Sequence, residues 1–164
     1  MYRVRGLKSA LTTYTRWFNM HTYRHMDLTY PEAIRWYAQQ TKPIYLQSFT
    51  PSIPFSLTFP REDIQQYFST DGTPFKYFVG TASWLMALAI MEGFKRIELW
   101  GFHLGPKYHY ERPCFFYWLD EARRRGIDAY LPPDVEISPA GDPTTYSGPL
   151  YGYEPHSPSY MRTF

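Results

Sequence analysis

The stretch from Lys76 to Arg125 constrains the fold more than any other, because it reads in unbroken order as strand, turn, apolar helix, strand, polar loop and basic helix. Tyr77-Phe78-Val79 is a short apolar run read as a strand, closed by Gly80-Thr81-Ala82-Ser83, and the helix Trp84 to Glu92 follows. Glycine lets a backbone approach another group closely, and the first-turn N–H groups of a helix have no internal partners. Hydroxyls of Thr81 and Ser83 stand beside those N–H groups, so the turn suits an anion such as phosphate. The segment points to nucleotide handling.

The chain's 164 residues hold one domain with a sizeable core and are too few for two comfortable ones. A net charge of +2 makes no electrostatic case for a nucleic-acid partner or an anionic membrane. The single cysteine, Cys114, rules out an intrachain disulfide and a cysteine-based zinc cluster, and no metal ligands are assigned. No apolar run reaches membrane-spanning length, and Met1-Tyr2-Arg3-Val4-Arg5 lacks the apolar centre of a signal peptide. The expected compartment is the cytoplasm. Aromatic residues make up 20% of the chain, an area suited to cores, contact surfaces or a ligand-stacking platform.

Residues 1–15 show no clear period and are expected as an N-terminal arm. Strands are expected near 17–20, 44–48, 96–102 and 127–131. Helices are expected over 31–40 (Pro31 in the first turn), 61–68, 84–92 (ended by Gly93) and 113–125 (stopped by Gly126), with a proline-punctuated loop at 50–60. Strands alternating with helices predict an α/β domain over 16–131 with one mainly parallel sheet. From Pro132 to Phe164 the chain is rich in Pro, Gly, Ser and Tyr and reads as an extended C-terminal tail, a wrap or a partner-binding arm.

In such a sheet the ligand crevice lies outside the carboxyl ends of the strands. That rule gathers Asn19 and His21, Gln47 and Ser48, Gly80 to Ser83, and His103 with Tyr108, His109, Tyr110 and Arg112. His21 reads equally as a turn cap, and His109 as plain loop. Arg112 stands at a helix start, where a cation opposes the dipole, so it needs an anionic partner, either a ligand or Glu111. Arg123-Arg124-Arg125 reads as favourable charge at a helix C-terminus.

The run Ser83 to Gly101 resembles the motif S-x-x-x-x-x-A-x-x-x-G-x-K-x-I-x-L-x-G-x-D through Ser83, Ala89, Gly93, Lys95, Ile97, Leu99 and Gly101. That motif belongs to a Rossmann-like group containing the archaeal 6-hydroxymethylpterin diphosphokinases and, more distantly, bacterial sialyltransferases of the Campylobacter type. Small phage and prophage proteins look similar in three further places: Trp17-Phe18-Asn19-Met20-His21, the loop Tyr108 to Pro113, and Tyr151-Gly152-Tyr153-Glu154. The resemblance implies a Rossmann-like three-layer sandwich with nucleotide phosphates at Ser83 and its turn. It also implies that Tyr108 and Tyr110 lie near the leaving phosphate. Where the group carries Asp this chain has His103, so a carboxylate for Mg²⁺, the one cofactor in question, is replaced. The group's first strand and Gly-rich loop have no counterpart in residues 1–15.

Two functions follow as expectations. One is a transferase acting on a nucleotide-activated donor, a sugar nucleotide or ATP. There Gly80, Thr81, Ser83, Tyr108, Arg112 and Asn19 hold the nucleotide, Tyr110 assists the leaving group, and His21 or His103 is the base. The other is a non-catalytic binding or assembly module of phage type. An uncovered sheet edge and an aromatic tail predict a homo-oligomer or a protein partner.

Overall fold

The computed structural model describes residues 14–101, 104–133, 135 and 138–153. It mixes helices with small parallel sheets, an α/β architecture, and divides into two compact units that meet in sequence at Phe59 and Pro60.

The first unit carries β1 (Trp17–Phe18), α1 (Tyr23–Thr29), α2 (Pro31–Ala38), β2 (Ile44–Leu46) and β3 (Ser56–Thr58). Its strands pair in parallel in the order β1-β2-β3, with Trp17 opposite Ile44 and Tyr45 opposite Leu57. Parallel neighbours need a long crossover, and α1 and α2 supply it between β1 and β2. Thr22 caps α1 by accepting from the His25 N–H at 3.1 Å. Pro31 opens α2 where its missing N–H costs nothing. Met26, Tyr37, Ile44, Leu46 and Ile53 form the core, with Trp17, Ile34 and Trp36 packed on it.

β3 corrects the expectation of a plain loop over 50–60. Pro54 and Pro60 lie outside Ser56–Thr58, so the N–H groups needed for pairing are present. The short link from β2 is braced by buried Ser56, whose Oγ accepts from Thr50 N at 2.9 Å and donates to Thr50 O at 3.0 Å. Helix α1 was not expected either: it is a seven-residue helix that buries only Met26, too short for a periodic signal.

The second unit carries α3 (Arg61–Tyr67), α4 (Thr81–Met91), β4 (Arg96–Glu98), a 3₁₀ turn (Pro106–Glu111), α5 (Arg112–Arg124), β5 (Asp128–Tyr130) and a second 3₁₀ turn (Pro143–Thr145). β4 and β5 pair in parallel, Ile97 opposite Ala129, with α5 as the crossover. Helix α4 is apolar on all sides and buries Trp84, Met86, Ala87, Leu88 and Ile90. Gly93 and Gly126 take φ values of 77° where α4 and α5 end. Glu121 answers the basic end of α5, with Arg124 Nη2 and Arg125 Nε each 2.6 Å from its carboxylate.

Among the described residues the expected single four-stranded sheet is replaced by two small sheets, of three strands in the first unit and two in the second. The expected strand at Tyr77–Val79 forms no ladder, and Phe78 N instead turns back to donate to Lys76 O at 2.9 Å. Its carbonyls are taken by other groups: Tyr77 O accepts from Trp118 Nε1 at 2.9 Å and from Cys114 Sγ at 3.4 Å, and Phe78 O from Tyr151 N at 3.0 Å. Phe78 stacks on Trp84 at 3.7 Å between ring centres, which fixes this segment against α4.

Candidate functional site at the start of helix α4

Gly80 is the N-cap of α4 and has extended backbone. The turn closes on itself through Ser83: its Oγ donates to Gly80 O at 2.5 Å and accepts from Gly80 N at 3.3 Å. Ser83 is buried and Thr81 half-buried. The close approach that a glycine permits is made here by the protein itself, because a Cβ on Gly80 would run into the Glu111 carboxylate. Glu111 ends the 3₁₀ turn and leads into α5 at Arg112, so its carboxyl lies beside the first turn of α4.

Burial pushes the Glu111 carboxyl up to about 7, against a hydrogen bond from Tyr110 that favours the charged form. Tyr110 is itself raised to about 12, first by burial and then by Glu111, so its phenol keeps its proton at neutral pH. A carboxyl that titrates near neutrality beside a phenolic donor is a group suited to general acid–base work. Cys114 is buried, and burial pushes its thiol up to about 12, which keeps it protonated at neutral pH.

The other expected residues are distributed as follows. Arg112 donates from Nε to Leu104 O at 2.8 Å, which ties the polar loop to the start of α5. Tyr108 and Tyr110 sit on the 3₁₀ turn with much of each side chain open to solvent, the Tyr110 hydroxyl being the part held against Glu111, and the His109 ring stands 6.1 Å from that of Tyr110. Asn19 and His21 belong to the first unit. Asn19 donates from Nδ2 to Tyr37 OH at 2.9 Å and accepts from His21 N at 2.9 Å. Burial, then neighbouring His25, holds His21 below its ordinary value. His103 and most of the expected N-terminal arm lie outside the described residues.

Residues 138–153 run along the second unit. Gly141 N donates to Pro113 O at 2.8 Å, Trp84 Nε1 to Tyr151 O at 3.1 Å, and Tyr153 lies 4.5 Å from the Arg61 guanidinium. A cavity of about 390 Å³ between α5 and residues 131–133, 135 and 138–140, lined by Phe116, Leu119, Arg123, Leu131 and Val135, includes none of the site residues.

Among the described residues no three His, Cys, Asp or Glu side chains assemble into a metal-binding group. Among them no helix is long and apolar enough to cross a membrane. No family model, curated protein or solved structure matches the chain.

Sequence reasoning named Glu111 only as a counter-charge for Arg112. The signal for its place was Gly80, which announced a close approach without identifying the approaching group.

Proposed function

We propose that the chain is a nucleotide-binding, transferase-like protein acting on a nucleotide-activated donor, a sugar nucleotide or ATP. In this reading the donor phosphates meet the first turn of α4, and Glu111 supplies the proton to the departing phosphate. The observation that carries it is the Glu111 carboxyl packed against Gly80 at a helix N-terminus, where burial pushes it up to about 7. A phosphate arriving there raises the carboxyl further, so Glu111 binds it as a neutral donor and the protonated Tyr110 adds a second one. His21 or His103 is the base that the sequence offers for the acceptor. Parallel pairing in both units, with helical crossovers from β1 to β2 and from β4 to β5, supports the Rossmann-like three-layer sandwich implied by the Ser83–Gly101 motif. The cytoplasm is the matching compartment, that of the host cell if the chain is of phage origin.

One observation favours the second reading, a non-catalytic binding or assembly module. Ser83 spends its proton on Gly80 O, and Glu111 already fills the space at the helix start. Calorimetric titration with nucleotides and sugar nucleotides, with and without Mg²⁺, at pH 6 and pH 8 separates the two. The transferase reading requires binding that is tighter at pH 6 than at pH 8, and a pH dependence removed by Glu111→Gln. Absence of binding by wild type and variant at both pH values decides for the module.

A further inference from the structure

We propose that His21 and His25 form a binding site for a divalent late transition-metal ion, independent of the α4 turn. His25 is the third residue of α1, and His21 stands just before its cap, Thr22. Their rings lie 4.8 Å apart between centres, inclined by 38°. With metal–nitrogen bonds of about 2.0–2.1 Å an imidazole centre lies roughly 3.2 Å from its ion, so two rings meeting at about 90–110° stand roughly 4.5–5.2 Å apart. The observed separation falls inside that interval.

The backbone that presents the two rings is fixed before any ion arrives. His21 N is held by Asn19 Oδ1 at 2.9 Å, Asn19 is held by the Tyr37 hydroxyl, and His25 N is held by Thr22 Oγ1 at 3.1 Å. Buried Met26 anchors α1 next to His25. Both histidines are half-buried, so an ion can reach them from solvent. No third His, Cys, Asp or Glu joins the pair among the described residues. Water or an exogenous anion completes the coordination, and the site is an open one. Two imidazoles with open positions suit Cu²⁺ best, followed by Ni²⁺ and Zn²⁺.

The test uses the untagged full chain near pH 7.5, titrated with Cu²⁺ alone and separately with Zn²⁺. Calorimetry should show one ion per chain, and electron paramagnetic resonance of the Cu²⁺ form should show two imidazole nitrogens. His21→Gln and His25→Ala should each weaken binding at least tenfold, while His109→Ala leaves it unchanged. The nitrogen count on the wild-type chain stands even if a variant folds poorly. No stoichiometric binding, fewer than two imidazole nitrogens, or an affinity unmoved by both substitutions overturns the proposal.

Discussion

Glu111→Gln is expected to stabilise the protein at pH 8 and to change little at pH 4. Burial lifts the Glu111 carboxyl from 4.5 to about 7. Unfolding returns it to water, where it titrates in the ordinary carboxylate range. Between those two values the folded protein holds a proton that the unfolded chain has lost, so this group's contribution to stability falls as pH rises through the window. Below the window both states are neutral and the penalty vanishes; above it both are charged and the penalty is complete. A shift of this size corresponds to about 3 kcal/mol, which the carboxyl's partial exposure to solvent reduces to about 1–2 kcal/mol. Glutamine keeps the shape and an oxygen acceptor for Tyr110 while removing the charge. Urea unfolding of both proteins, followed by tryptophan fluorescence, should move the variant's midpoint up by roughly 0.5–1 M at pH 8, with near coincidence at pH 4. A variant less stable than wild type at pH 8, or an equal difference at both pH values, refutes the placement of a destabilised charge at the start of α4.

Ser56→Ala removes both bonds that brace the β2–β3 link and leaves Thr50 N without its acceptor in a buried place, while Thr50 O keeps its bond from Ile53 N at 2.9 Å. It should cost about 1–3 kcal/mol, read as faster hydrogen exchange at the Ile44 and Phe59 amides. A chain ending at Pro133 loses the Gly141–Pro113, Tyr151–Phe78 and Trp84–Tyr151 bonds. Its thermal midpoint should fall by several degrees or more, at about 2–4 °C per kcal/mol, and unchanged melting contradicts the packing of the tail. Light scattering on the full chain should report an assembly larger than one protomer, and a monomer ends the homo-oligomer proposal.

Local rules made the helices legible: Pro31 at a first turn, and Gly93 and Gly126 just past helix ends, each act within a few residues of chain. The strands were legible as apolar runs but not as partners. Tyr77-Phe78-Val79 has the composition of a strand, yet its carbonyls answer Trp118, Cys114 and Tyr151, which lie far along the sequence. Ser56–Thr58 lies in a proline-rich stretch, and what makes it a strand is its parallel pairing with Ile44–Leu46, reached through a link that the Ser56–Thr50 bonds brace. At the site, Gly80 and Ser83 were found from turn chemistry alone. That Glu111 meets Gly80 depends on how the 3₁₀ turn and α5 return to α4, which no spacing in the sequence encodes. The pairing of His21 with His25 needed helix α1 to start at Tyr23, and a helix so short leaves no period to read.

Carbon-13 NMR of the side-chain carboxyl, with Glu111 assigned by its absence in Glu111→Gln, tests the central claim most directly. The free protein should show Glu111 titrating near 7, and saturating nucleotide or sugar nucleotide should move that midpoint upward as a phosphate settles beside it. A Glu111 carboxyl that titrates near 4.5 and does not respond to any nucleotide contradicts a phosphate-linked proton at the start of α4.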